Sequence, residues 1–271
     1  RLGPAQGVGS LPGGDDLRPG VSAMAAIPEN RVFGIDAVRL KVDPAEHPWR
    51  AAEHASIEAH WAREQVERPW LFNGTVIMHR GLRLEGGAIS GVSHRTPYAA
   101  LLHWVKTQPA ADAWHLFGSA VILSSDGAMM LIRMAAKTAN AGKVYAPAGS
   151  LDESDIKGGE VDVEGSILRE AREETGLDLR RAEAEKQLLC WRQGGRVAVF
   201  RRFRLDATAD QLAARIREHI RTDPEQEIED VVVVRAPQDA GPTAPPYMRA
   251  MVDFHFAPPA SGGGWQETGN R

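Results

Sequence analysis

Two apolar runs meet at Ser124-Ser125-Asp126-Gly127, in the stretch GSAVILSSDGAMMLIRM (118–134). Runs of this kind on either side of a turn cluster read as a β-hairpin. KVYAPAGSLD (143–152) follows as a strand running into a Gly-containing loop. ILREAREETGLDL (167–179) is then a helix that ends at Gly176, a residue suited to a left-handed cap. KQLLCWRQGGRVAVFRRFRLD (186–206) is a second hairpin, turning at Gly194-Gly195. ADQLAARIREHIRT (209–222) is an amphipathic helix with Leu212, Ile216 and Ile220 at spacing four, and EIEDVVVVRAP (227–237) is a last strand.

The half before residue 115 has its own series. FGIDAVRLKV (33–42) suggests one strand, through Ile35, Val38, Leu40 and Val42. EHPWRAAEHASIEAHWAREQVE (46–67) has few breakers and reads as one helix, with Trp49, Ile57 and Trp61 facing a core. Residues 71–95 give two or three short strands with Gly turns. TPYAALLHWVKT (96–107) is a helix with Thr96 as cap and Pro97 at its first position. Strands and helices mix without regular βαβ alternation. The expected class is therefore α+β, or a layered α/β/α arrangement, rather than a doubly wound sheet.

With 271 residues the chain can bury a sizeable core. Its net charge of −4 argues against a nucleic-acid binder, which would carry a basic excess. No run of 18 apolar residues exists, so no membrane span is expected. The single cysteine, Cys190, rules out an intramolecular disulfide and fits a reducing, cytoplasmic setting. Residues 1–23 are rich in Gly and Pro without an apolar stretch. They are expected to be a disordered leader or a start-site artefact rather than a signal peptide. The tail, 258–271, is expected to be disordered as well.

In the acidic helix Glu170, Glu173 and Glu174 stand at i, i+3 and i+4, so their carboxylates can converge. The plain reading is a solvated face, with Arg169 and Glu173 paired at i, i+4. The alternative is a seat for a hard divalent cation. Such an ion relieves three repelling carboxylates better than nearby arginines do, and Mg²⁺ bridges naturally to phosphates. Pro147 and Gly149 in the preceding loop allow a close backbone approach.

Arg169-Glu170-Ala171-Arg172-Glu173-Glu174-Thr175-Gly176-Leu177 resembles the second half of the Nudix hydrolase box, G-x5-E-x7-R-E-U-x-E-E-x-G-U with U apolar. YAPAGS resembles the Pro-Gly-Gly loop before that box. The first half departs from the pattern. Asp155 stands where Gly is expected, and Val161 stands where the first glutamate is expected. Gly149 lies twenty residues before Arg169, which implies an insertion of six within 150–160. Glu160 or Glu164 is then a candidate to replace the missing glutamate. The resemblance implies a Nudix fold, an α/β/α sandwich with a mixed sheet over 116–257, with residues 24–115 as an N-terminal α/β extension. It implies that Glu170, Glu173 and Glu174 hold Mg²⁺ or Mn²⁺. Arg169 would orient them, pairing with Glu173, and Ala148 and Gly149 would form the loop wall. The chemistry implied is attack of water on a phosphoanhydride in a nucleoside diphosphate joined to another moiety. Glu174 or a carboxylate from Glu225, Glu227 and Glu229 would take the proton, Glu227 being the later-loop candidate retained.

RPWLFNG (68–74), RLEGG (83–87) and TPYAALL (96–102) resemble the N-terminal extension of UDP-glucose-pyrophosphatase-type Nudix proteins, which implies a nucleotide sugar such as UDP-glucose. Arg196 and Arg202 are candidate phosphate contacts. His54 and His60 are six apart, which is not ligand spacing. Trp61, Trp70 and Trp104 fit a core better than a stacking platform, and Cys190 fits packing better than reaction. The competing function is a Nudix-fold nucleotide-binding module without catalysis, motivated by Val161 and the insertion. Isopentenyl-diphosphate isomerase chemistry would need a cysteine before the box, and Cys190 lies after it.

Overall fold

The computed structural model describes residues 25–258. The leader expected over 1–23, and the tail beyond Pro258, lie outside the described residues. The expected strand over 33–42 is two strands serving two sheets, β1 (Phe33–Ile35) and β2 (Ala37–Val42). Ile35 and Val38 are three apart, which breaks the period of two, and the chain changes sheets at Asp36, whose N–H donates to the Gly87 carbonyl. The expected helix over 46–67 breaks at Glu53 into α1 (Pro48–Ala52) and α2 (His54–Glu67). The buried His47 ring caps α1 by accepting from the Trp49 N–H.

β3 (Thr75–Glu85) and β4 (Ala88–Pro97) form one long hairpin in place of several short strands. β4 runs through Thr96, so α3 (Tyr98–Thr107) starts later than expected. Thr96 is buried and its hydroxyl donates to the Val76 carbonyl. The Ala99 N–H of α3 is capped instead by Asn73 Oδ1 at 2.8 Å. The cap thus comes from across the fold, out of the LFNG element.

β5 (His115–Leu123) and β6 (Met129–Met134) are the hairpin around Ser-Ser-Asp-Gly. They are followed by β7 (Val144–Tyr145), the small hairpin β8 (Ile156–Lys157) and β9 (Glu160–Val161), and α4 (Val163–Thr175). Next come β10 (Glu183–Ala184), β11 (Leu188–Gln193), β12 (Arg196–Arg204), α5 (Ala209–Thr222) and β13 (Ile228–Val234). α6 (Pro246–Phe256) has no counterpart among the expected elements.

One mixed sheet runs β1-β11-β12-β5-β6-β13, with β5 and β12 parallel and the other pairs antiparallel. The second runs β3-β4-β2-β9-β8. Its last two strands come from 156–161, the region of the inferred insertion, so residue 115 separates no sheet from another. α4 and α5 cover one face of the mixed sheet, burying Ile167, Ala171, Leu212 and Ile216 with Leu116, Ala120 and Ile122. α6 covers the other face, burying Tyr247, Met248 and Met251 with Phe117, Val121 and Phe200. This α/β/α layering is the expected α+β Nudix arrangement. Trp49, Trp61 and Trp104 fill a third cluster under α2 and α3, as core residues, whereas Trp70, expected to fit a core, is 51% exposed. Cys190 is buried in the main core, where burial pushes its thiol up to about 12. Among the described residues no helix is long and apolar enough to cross a membrane.

Candidate active site

The site forms where two neighbouring strands part. β5 and β6 pair only at Ile122↔Met130 and Leu123↔Met129. Beyond that point the loop after β7 fills the gap. The Ala120 N–H donates to the Pro147 carbonyl at 2.9 Å, and Phe117 bridges Ser150. α4 lies close against β5 because residue 118 is glycine: a Cβ there would stand 2.5 Å from Ile167 Cγ1. Asp162 caps the start of α4 by accepting from the Gly165 N–H at 2.8 Å. Gly176 ends it with φ at 71°, as the sequence predicts. This docking sets the acidic turn of α4 beside Ala148 and Gly149.

Glu174 is buried, and its carboxylate accepts from the Ala148 N–H at 2.8 Å. Burial, and then the nearby Glu170 charge, hold this carboxyl well above the usual range, against the pull of that hydrogen bond. The Glu170 carboxyl occupies the space a side chain at residue 149 would need, since a Cβ there would lie 2.2 Å from Glu170 Cδ. Burial pushes Glu170 up to about 7, although Arg169 Nη1 stands 2.9 Å away. Glu173 is exposed and pairs with Arg169 at 3.0 Å, as expected. Glu227 is exposed and bears electrostatically on Glu174. Its own carboxyl is raised by burial first, then by Glu225, Asp223 and Glu173. Glu225 and Glu229 are exposed.

Arg169 binds more than its expected partner. Its Nη2 lies 3.2 and 3.1 Å from the two oxygens of Asp155, which is 3% exposed. Asp155 is fixed in turn by accepting from the Asp152 N–H at 3.0 Å. Burial opposes the charge of Arg169, and Glu170, Asp155, Glu173 and Asp152 more than offset it. The candidates to replace the missing box glutamate have basic partners of their own. Glu160 is exposed on β9 opposite Lys41 and Lys157, and Glu164 pairs with Arg201. Val161 itself is buried in the core. The acidic partner missed from the sequence is Asp155. Its only signal was an aspartate standing where the box calls for glycine.

A cleft of about 200 Å³ runs from Ala148 and Gly149 to Arg196, with Tyr145, Phe117 and Tyr247 among its walls. Both candidate loop residues and Arg196 therefore line one space. The charge of Glu174 reaches both phenols, and burial holds Tyr145 and Tyr247 far above their usual range. Arg202 does not belong here. It is 2% exposed, its guanidinium is bound to Glu185 at 2.5 and 2.6 Å, and it packs under Phe254 and His255 of α6. It shares a sheet face with Arg196 but lies six residues further along β12, roughly 20 Å at about 3.3 Å per residue. Tyr247 was beyond sequence reasoning because α6 was not expected; Tyr145 and His115 carried no motif.

Among the described residues no three His, Cys, Asp or Glu side chains stand ready-made as a metal trio. Arg169 and the Ala148 N–H hold the carboxylates instead. The donor set itself is all hard oxygen, with Glu170 cradled against a glycine, and this suits Mg²⁺ or Mn²⁺ once Glu170 and Glu173 turn from Arg169.

Residues 117–251 match the family model described as the NUDIX domain. Solved structures similar to part of the chain include DR0079 from Deinococcus radiodurans, at 16% identity and a TM-score of 0.39, covering 53% of this chain and 85% of that one. A MutT protein from Methanosarcina mazei matches at 19% identity and 0.34, over 50% and 88% of the two chains. The NUDIX domain of Shewanella oneidensis NrtR complexed with ADP ribose matches at 18% and 0.30, over 49% and 81%. No curated protein matches the chain.

Proposed function

We propose that this protein hydrolyses a phosphoanhydride in a nucleoside diphosphate joined to a second moiety, with a divalent cation, Mg²⁺ or Mn²⁺, as cofactor. The observation that carries this reading is one cleft with a carboxyl end and a cationic end. Ala148 and Gly149, which stand against the carboxyls of Glu174 and Glu170, line one end and the half-buried Arg196 lines the other. Glu170, Glu173 and Glu174 would hold the cation, which supplies polarisation of phosphoryl oxygens and a more acidic water. Arg169, anchored on Asp155, holds Glu170 and Glu173 side by side before they turn to the cation. The Ala148 N–H fixes Glu174. Glu227, whose carboxyl is raised by burial and by its acidic neighbours, would take the proton from the attacking water. Ala148, Gly149 and Arg196 would contact the substrate. The resemblance of 68–102 to sugar-nucleotide pyrophosphatases favours a nucleotide sugar such as UDP-glucose. The net charge of −4 disfavours a nucleic-acid substrate, and the lone buried Cys190 suits the cytoplasm.

The test is a hydrolysis screen with Mg²⁺ and then Mn²⁺. It would cover UDP-glucose, other nucleotide sugars, ADP-ribose, NADH, coenzyme A, dinucleoside polyphosphates and nucleoside triphosphates. Turnover of one class, lost in Glu173→Gln and Glu174→Gln, supports the reading. Nucleotide binding without turnover of anything in the panel overturns it in favour of a binding module, which the buried Val161 and the Arg169-tethered carboxylates would then explain.

A further inference from the structure

The end of the cleft away from the carboxylates holds more than the one arginine that the hydrolytic reading uses. His115 begins β5, directly beside Arg196 in the parallel register with β12. Neither ring nitrogen of His115 has a hydrogen-bond partner among the described residues, and both are shut from solvent at the wall of the cleft. The ring is held by stacking on Phe117 at 5.3 Å and by the edge of Trp104 at 6.1 Å. A buried polar group left unpaired costs about 1–3 kcal/mol, so such groups are normally satisfied by something.

Arg196 repeats the pattern with a full charge. No carboxylate pairs with it among the described residues, whereas Arg201 and Arg202 on the same strand have Glu164 and Glu185. Its guanidinium rests over the Trp104 ring at 5.9 Å. Trp104 is fixed by donating to the Ala113 carbonyl at 2.9 Å, ahead of β5. Arg196 therefore leans away from the loop that carries Ala148 and Gly149. Lys143, whose amine donates to Asn140, adds a second cation to the same space.

The register gives the scale. Phe117 faces Ser150, and the Ala120 N–H meets the Pro147 carbonyl, so Ala148 lies opposite Ser119. His115 is four residues further along, about 13 Å at roughly 3.3 Å per residue. That distance is longer than a diphosphate. Tyr98, Leu101, Leu102 and Val105 of α3 close this end, so its walls come from both halves of the chain.

We propose that Arg196 and His115 form an anion subsite for a carboxylate or phosphate carried by the substrate beyond its diphosphate. The proposal rests on the hydrolase reading for the position of the diphosphate, and it names the substrate class as an acidic nucleoside diphosphate derivative. Two sources share this chemistry: an acidic sugar, or an extra phosphate on the nucleoside.

Calorimetric titration in EDTA reads the cleft without turnover. UDP-glucuronate would be compared with UDP-glucose, and ADP-ribose 2′-phosphate with ADP-ribose. One acidic member should bind about ten-fold tighter than its neutral partner, the scale of one charge-assisted contact. Which pair shows it identifies the source. Arg196→Met, which can still pack on Trp104, should remove the preference, weakening the acidic member about ten-fold more than its neutral partner. His115→Phe should reduce it. Equal binding within both pairs, no binding of any, or an equal loss for both members in Arg196→Met overturns the subsite. If Arg196→Met fails to fold, the wild-type preference and His115→Phe decide. Turnover of neutral substrates without a preference would sink the subsite and keep the hydrolase. A preference without any turnover would do the reverse.

Discussion

Removing the charge of Glu170 should stabilise the metal-free protein, and only at neutral and alkaline pH. Burial raises this carboxyl from 4.5 to about 7 despite the Arg169 ion pair. The side chain is 13% exposed, so solvent screens it little. The folded state thus keeps a proton that the unfolded chain releases. Stability is fully present below pH 4.5 and is lost as pH rises through about 7. That interval, at about 1.36 kcal/mol per pH unit, corresponds to something on the order of 3 kcal/mol. For a folded region of this size it is about 6–12 °C in Tm. The assay is thermal unfolding of wild type and Glu170→Gln in EDTA from pH 4 to 8, reported as the difference between them. Taking the difference cancels the buried histidines, whose own pH dependence runs the other way: His79 and His115, both lowered to about 3 by burial, destabilise the fold as pH falls below 6.5. The difference should grow with pH in favour of the variant. Glu174 adds to it, because its carboxyl is raised partly by Glu170. Mg²⁺ at pH 8 should then raise the wild type more than the variant. A difference that stays flat from pH 4 to 8 would refute the claim that burial keeps this carboxyl protonated.

Gly149→Ala puts a Cβ into the Glu170 carboxyl, the free end of a flexible side chain. Activity should fall about ten-fold or more through the displaced ligand, while Tm moves by no more than about 3 °C. Asp155→Asn weakens the anchor of Arg169, and the Mg²⁺ concentration for half-maximal activity should rise about 10–100-fold. Arg202→Met takes the arginine out of its buried ion pair with Glu185, which should cost about 3–5 kcal/mol in urea unfolding. KM of the folded fraction should not change, and a raised KM would return Arg202 to the substrate site. A chain lacking residues 1–115 should be insoluble or molten by circular dichroism, and a cooperative unfolding transition from it would show that 116–257 folds alone.

The acidic helix was legible because everything that makes it is local. Its apolar residues recur on one face, Gly176 ends it, and the three glutamates fall on one side of two turns. The helix at 209–222 was legible for the same reason, down to its ends. What failed depended on partners far away in sequence. The sheet change at Asp36 is set by a bond to Gly87, and the start of α3 by Asn73. Arg196 and Arg202 lie on the same face of one strand and look alike in sequence. Only the position of Glu185 and α6 sends one into the core and leaves the other in the cleft.

The insertion between Gly149 and Arg169 first reads as damage to a motif, and the structure gives it two structural uses. Its β8–β9 hairpin extends the sheet of β2, β3 and β4, with Glu160 opposite Lys41, and Glu153 meets Arg95 of β4 at 2.6 Å. In the same few residues Asp155 turns inward to Arg169. The buried cluster that holds α4 in place also draws Ile27, Ile35, Leu40, Ile77 and Ile89 from the first half. Meanwhile α3, held on the other side by its own cluster, closes the cleft. The residues before 115 are therefore a layer on the same core. They bear on the site from two directions, through the anchor of Arg169 and through the wall beside Arg196.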